Sequence, residues 1–151
     1  MCREWFKKIQ WKKVCLAAFL YLLIAFVIRQ IEAFSTMKYY LMPEYWGVWS
    51  KVMMPNEGPP PAIFHVLSAI FTFLTGLVLA YFYSVTQKLL GKSYWAKVWS
   101  FTVAFAVLSL VFSYLPMYLL INLPLVLLAV WFLTGVLTVF LGTLVFAKLI
   151  K

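Results

Sequence analysis

The chain contains no aspartate, and its four acidic residues are all glutamate. That excludes an Asp-based magnesium site and a calcium loop of the EF-hand kind. Its single histidine removes the two-histidine zinc motif, and with it bis-histidine haem ligation within one chain. The two cysteines, Cys2 and Cys15, lack the spacing of a redox pair. Both fall on the basic edge assigned to the cytoplasm below, where a reducing medium disfavours a disulfide. Cys15 stands where juxtamembrane palmitoylation can occur, although a small apolar packing residue accounts for it better.

Charge of either sign is scarce. Only 11% of residues are charged, against about a quarter in soluble domains. Gly91-Lys92-Ser93 has the ending of a phosphate-binding loop, but Thr86 occupies the required upstream glycine position and no strand precedes it. No ionisable residue falls in the middle third of any apolar run described below, which argues against proton-driven antiport through an intramembrane carboxylate.

What the chain has in quantity is apolar surface. Apolar residues make up 66% of it and aromatics 20%, and the mean hydropathy is +0.96. This composition is that of an integral membrane protein. The apolar runs are continuous rather than alternating, which selects helices over a barrel. Four spans are predicted, at about 12–34, 62–84, 98–120 and 125–147, each near the ~20 residues that cross a bilayer. The first reaches full length if Arg29 snorkels outward. Asn122-Leu123-Pro124 reads as a capped helix start, Pro116 as an end or kink of the third span, Gly91 as a stop and Ser93 as a start. The expected fold is one domain, an all-α antiparallel bundle of four membrane helices with a structured extracytoplasmic segment between the first and second. No internal repeat is visible. A cleaved signal peptide is disfavoured, because Arg29 and Glu32 interrupt a hydrophobic region already too long for one.

Cations set the orientation. Arg3, Lys7, Lys8, Lys12 and Lys13 precede the first span, Lys88, Lys92 and Lys97 join the second to the third, and Lys148 and Lys151 end the chain. The opposite side holds only Arg29, Lys38 and Lys51, matched by Glu32, Glu44 and Glu57. The positive-inside rule therefore predicts a multi-pass protein of the plasma (inner) membrane with both termini cytoplasmic. The net charge of +9 is a topology signal; no nucleic-acid-binding module accompanies it. Trp5, Lys8 and Lys12 on one side and Trp46 and Trp49 on the other are the expected interface anchors.

Candidate sites lie on the outer side. Arg29 and Glu32 are three apart and share a helix face, and His65 sits at similar depth. With Glu44 and Glu57 they form the candidate binding cluster, for which a structural ion-pair network is the competing account. Beyond Met1, all methionines fall on this side. Met42, Met53 and Met54 with His65 offer soft ligands for Cu(I), although their spacing matches no copper motif and packing explains them as well. No catalytic residue, cofactor or metal is otherwise expected. Pairs of small residues four apart, namely Gly76 and Ala80, Ser109 and Ser113, and Thr138 and Gly142, read as helix-packing surfaces. The functional expectation is a non-catalytic accessory or structural subunit binding membrane lipids, other membrane subunits or itself. The alternatives are a bundle binding or transporting a lipid or small molecule as an oligomer, and a membrane enzyme with a polar outer site.

Overall fold

A computed structural model describes residues 9–45 and 62–150. It is all-helical, and among the described residues there is no strand. Four helices are long and apolar enough to span a membrane: α1 (Trp11–Tyr40), α2 (Ala62–Thr86), α3 (Tyr94–Leu120) and α4 (Leu125–Leu149). A single 3-10 turn, Pro43–Tyr45, follows α1. Trp5, Lys8, Trp46, Trp49, Met53, Met54 and Glu57 lie outside the described residues.

The helix limits refine the reading of the sequence. With 30 residues, α1 continues to Tyr40, past the expected end at Phe34, and is about 45 Å long at the usual rise. Ser93 caps α3 as its chemistry suggests: its side-chain oxygen accepts from the backbone N–H of Ala96 at 3.1 Å. Gly91 has φ +113° in the link after α2, a conformation natural to glycine. Asn122 is not the cap of α4. That helix starts at Leu125, with Pro124 before it and no side-chain cap bond. Pro116 does not end α3. Instead Leu110–Tyr114 wind as one wide π-helical turn, with the Leu115 N–H bonded back to the Leu110 carbonyl, and the helix resumes to Leu120. Proline removes a backbone donor and crowds the turn before it, and the wider turn relieves that crowding.

Packing is uneven. Helix α1 lies against α2 and α4, and α3 lies against α4, while α2 and α3 are poorly joined to each other. Trp11 stacks on Tyr81, and Tyr83 meets Phe101 and Phe146. These contacts gather the start of α1 and the end of α2 with the start of α3 and the end of α4. The main core cluster sits there, with Val14, Ala17, Ala80, Tyr83 and Phe146 fully enclosed. We call this the closed end.

Glycine makes the close approach possible. A Cβ on Gly76 would stand 3.0 Å from the Ala18 carbonyl oxygen and 3.0 Å from the Tyr21 ring, and one on Gly142 would stand 2.5 Å from that same ring. Tyr21 is thus wedged between α2 and α4 in two notches that only glycine leaves open. Gly76 and Gly142 serve the packing expected of them; Ser109, Ser113 and Thr138 have a different position, described next.

Candidate functional site

Beyond Tyr21, toward the end where α1 stops and α2 starts, the helices separate. A cavity of about 470 Å³ opens between them, within the range of small-molecule sites. Its floor is Tyr21 and Ala25. Helix α1 adds Ile28, Arg29, Glu32 and Tyr40, α2 adds Thr72 and Thr75, and α4 adds Trp131, Thr134, Gly135 and Thr138. From α3 come Phe105, Ser109, Ser113, Tyr114 and Met117, a set that straddles the π-helical turn. The wide turn changes the angular spacing along α3, which brings Ser113 and the adjacent Tyr114 onto one wall. Ser109 and Ser113 therefore face space rather than a close helix neighbour, a correction to their reading as packing residues, while Thr138 is buried and also lines the cavity.

Glu32 is anchored. The Trp131 indole N–H lies 3.0 Å from Glu32 Oε1 and 3.0 Å from the Tyr40 hydroxyl oxygen. The Thr36 hydroxyl lies 3.1 Å from the same carboxylate oxygen and 2.7 Å from the Glu32 carbonyl. Thr36 is buried, and the Tyr40 and Trp131 rings pack 6.5 Å apart. The carboxylate thus has donors fixed on both α1 and α4, which ties the end of α1 to the start of α4.

Arg29 is different. It lines the same cavity one turn earlier, is exposed, and makes no ion pair among the described residues. Tyr21 of α1 and Tyr114 of α3 line the same cavity. Ser113 and Tyr114 likewise make no hydrogen bond among the described residues, so their hydroxyls are available as donors. The other hydroxyls have spent theirs. Thr72, Thr75, Thr134 and Thr138 donate to carbonyls four residues back at 2.7–2.9 Å, and Ser109 donates to Ala106 at 3.1 Å. Their oxygens remain as acceptors.

The remaining sequence candidates sit elsewhere. His65 is exposed on the first turn of α2 with its ring edge-on to Phe64, and does not line the cavity. Glu44 is exposed in the 3-10 turn, and Met42 is half-buried beside it. Lys12 is exposed at the start of α1. Of the copper candidates, only Met42 and His65 are among the described residues. Those residues include no group of three or more His, Cys, Asp or Glu placed to hold a metal. Sequence reasoning missed Trp131, Tyr40, Tyr114 and the α3 serines as members of a site. The available signal was that a wide-spaced polar set on α3 flanks Pro116.

Compared with protein-family models, curated proteins and solved structures, the chain matches none.

Proposed function

We propose that this protein is a membrane-embedded binding protein for a small amphipathic molecule, held in the cavity between its helices. One observation carries this: a cavity lined by an arginine, a glutamate, tyrosines and hydroxyls inside helices that are otherwise apolar. Polar and ionisable groups within membrane helices are costly and tend to mark a ligand path. Arg29 is sixteen residues beyond Lys13, or about 24 Å along the axis. With Lys13 at one headgroup boundary, Arg29 lies below the far edge of a hydrocarbon core about 30 Å thick. Beside outward snorkelling along its long stem, the cavity gives its charge a wet or liganded environment.

The reading includes an antiparallel bundle in the plasma membrane with both termini cytoplasmic and the cavity opening outward, as the cation asymmetry supports. In a Cys2→Ser, Cys15→Ala background, a membrane-impermeant thiol reagent is expected to label Gly47→Cys and spare Lys92→Cys in intact cells. The cavity moves ligand binding ahead of the accessory-subunit role; the apolar outer faces of α2 and α3 suit lipid and protein neighbours equally.

The test exploits Gly135. A Cβ there would be 3.6 Å from the Tyr114 hydroxyl, an ordinary contact, and in Gly135→Leu the rest of the side chain reaches into the cavity that Gly135 lines and obstructs it. Native mass spectrometry after gentle extraction is expected to show a bound small molecule on the native protein and none on the variant. Equal occupancy of the two would refute the proposal.

A further inference from the structure

We infer that the ligand is a lipid-like amphiphile with an anionic, hydroxyl-bearing head, its anion held by Arg29 and its chain leaving between α2 and α3. This rests on the cavity being a binding site and specifies what it takes. Two opposite charges share the cavity, but they are not paired with each other. Glu32 is already solvated by Trp131 and Thr36, while Arg29 has no carboxylate partner among the described residues. Ser113 and Tyr114, with uncommitted hydroxyls, line the same space. A guanidinium with two O–H donors nearby is the complement of a phosphate or carboxylate, which needs several donors at once.

The rest of the wall sets the rest of the head. The threonine and Ser109 oxygens have donated their hydrogens to backbone carbonyls and can only accept. Glu32 likewise accepts and repels a second anion. A head with its own hydroxyls, such as a glycerol or sugar, offers the donors these acceptors need, whereas a methylated ammonium head offers none.

The lateral geometry supplies the chain. Helices α1 and α4 form the back of the cavity, and α2 and α3 do not close over its front. The outer surfaces of both helices are apolar, with Ile70, Phe71 and Leu74 exposed on α2 and Val107, Leu108 and Val111 exposed on α3. A cavity that is polar inside and opens sideways between apolar helix faces admits a molecule polar at one end and apolar at the other.

The experiment places the whole protein in nanodiscs containing equal phosphatidylglycerol and phosphatidylcholine of matched chains, and counts retained lipids by native mass spectrometry. The native protein is expected to retain phosphatidylglycerol over phosphatidylcholine by about tenfold or more, given charge-assisted recognition. Arg29→Gln is expected to abolish the preference and Arg29→Lys to keep part of it. A wild-type protein without preference, or an Arg29→Gln variant that keeps it, overturns the inference. Calorimetry with inorganic phosphate and with short-chain phosphatidylglycerol separates the two sources of the anion; phosphate binding as tightly as the lipid overturns the amphiphile. Gly135→Leu separates this inference from the reading beneath it. If it expels lipid while Arg29→Gln leaves the selection unchanged, the cavity binds but not through an anion. If it leaves the bound lipid unchanged, both fall.

Discussion

The two ends of the bundle are built from the same kinds of helix and come out opposite. At the closed end, small residues let backbones touch, and Tyr21, Tyr83 and Phe146 fill what remains. At the open end, Thr72, Thr75, Ser109 and Ser113 are just as small, yet they line space. The difference is not residue size. At the closed end a large ring enters each notch left by glycine; at the open end the rings of Tyr40 and Trp131 pack on each other at the rim and leave the centre empty. Contact between helices in lipid depends on packing rather than on hydrophobic expulsion. The closed end therefore holds the fold, and the open end is free to hold something else.

The sharpest way to break this contrast is to spoil a notch. Gly142→Leu would put its Cβ 2.5 Å from the Tyr21 ring, whose other edge faces Gly76 of α2 so closely that even a Cβ there would stand only 3.0 Å away. A loss of about 3 kcal/mol or more is expected, at the upper end of overpacking. The measurement is the fraction of monodisperse, helical protein after detergent extraction. A well-folded Gly142→Leu protein would show that the closed end is not the anchor. The same change at Gly135, in the open end, is expected to leave the thermal midpoint within a few degrees while emptying the cavity.

An intermediate effect is expected at the rim. Trp131→Phe keeps an aromatic ring, though a smaller one, and removes the N–H that serves both Glu32 and Tyr40. Hydrogen bonds between membrane helices average about 0.6 kcal/mol, with charged acceptors worth more, so a loss of about 1–2 kcal/mol is expected. Thermal unfolding of the purified protein reads it. If instead the midpoint is unmoved, the rim does not tie α1 to α4, and the open end is looser than its geometry implies.

Much of the closed end was legible in the residues, and little of the open end. Long apolar runs located four helices, Ser93 announced the start of α3, and small residues four apart, Gly76 with Ala80 and Thr138 with Gly142, announced the close approach seen at the two glycines. These are local signals with one physical meaning each. The cavity has no local signal. Each helix contributes a few polar residues that, taken alone, have an adequate private explanation: Thr72 and Thr138 bond their own backbone four residues back, as threonine in a membrane helix does. Only the arrangement of the helices shows that these residues share a space. Trp131 is the plainest case. Its indole reads as another lipid-facing aromatic until it is seen bonded to a glutamate 99 positions away. Arg29 and Glu32 both line the cavity, but their separate fates, one solvated by donors and one left without a carboxylate, depend on α4. His65 shares their depth in the sequence and not their space.

The smallest expected effect tests the contrast from the other side. If the closed end is a packed apolar core, a polar atom stranded in it should be a defect rather than an asset. There is one such atom among the described residues. Thr102 on α3 is 3% exposed, and its Oγ1 has no hydrogen-bond partner, unlike Thr143 in the same end, which donates to the Val139 carbonyl at 2.7 Å. Threonine and valine have nearly the same shape, so Thr102→Val removes an unsatisfied hydroxyl without opening a void. An unmet buried polar group costs about 1–3 kcal/mol, and in lipid the unfolded reference recovers part of that by finding partners of its own. A gain of up to about 1 kcal/mol is therefore expected, read as a raised thermal midpoint with ligand retention unaltered. The same substitution at Thr143 should instead be close to neutral, because its hydroxyl is already satisfied and valine loses that bond and the group's polarity together. A destabilised Thr102→Val protein would mean that its hydroxyl has a partner in the membrane, and that the closed end is less dry than its packing implies.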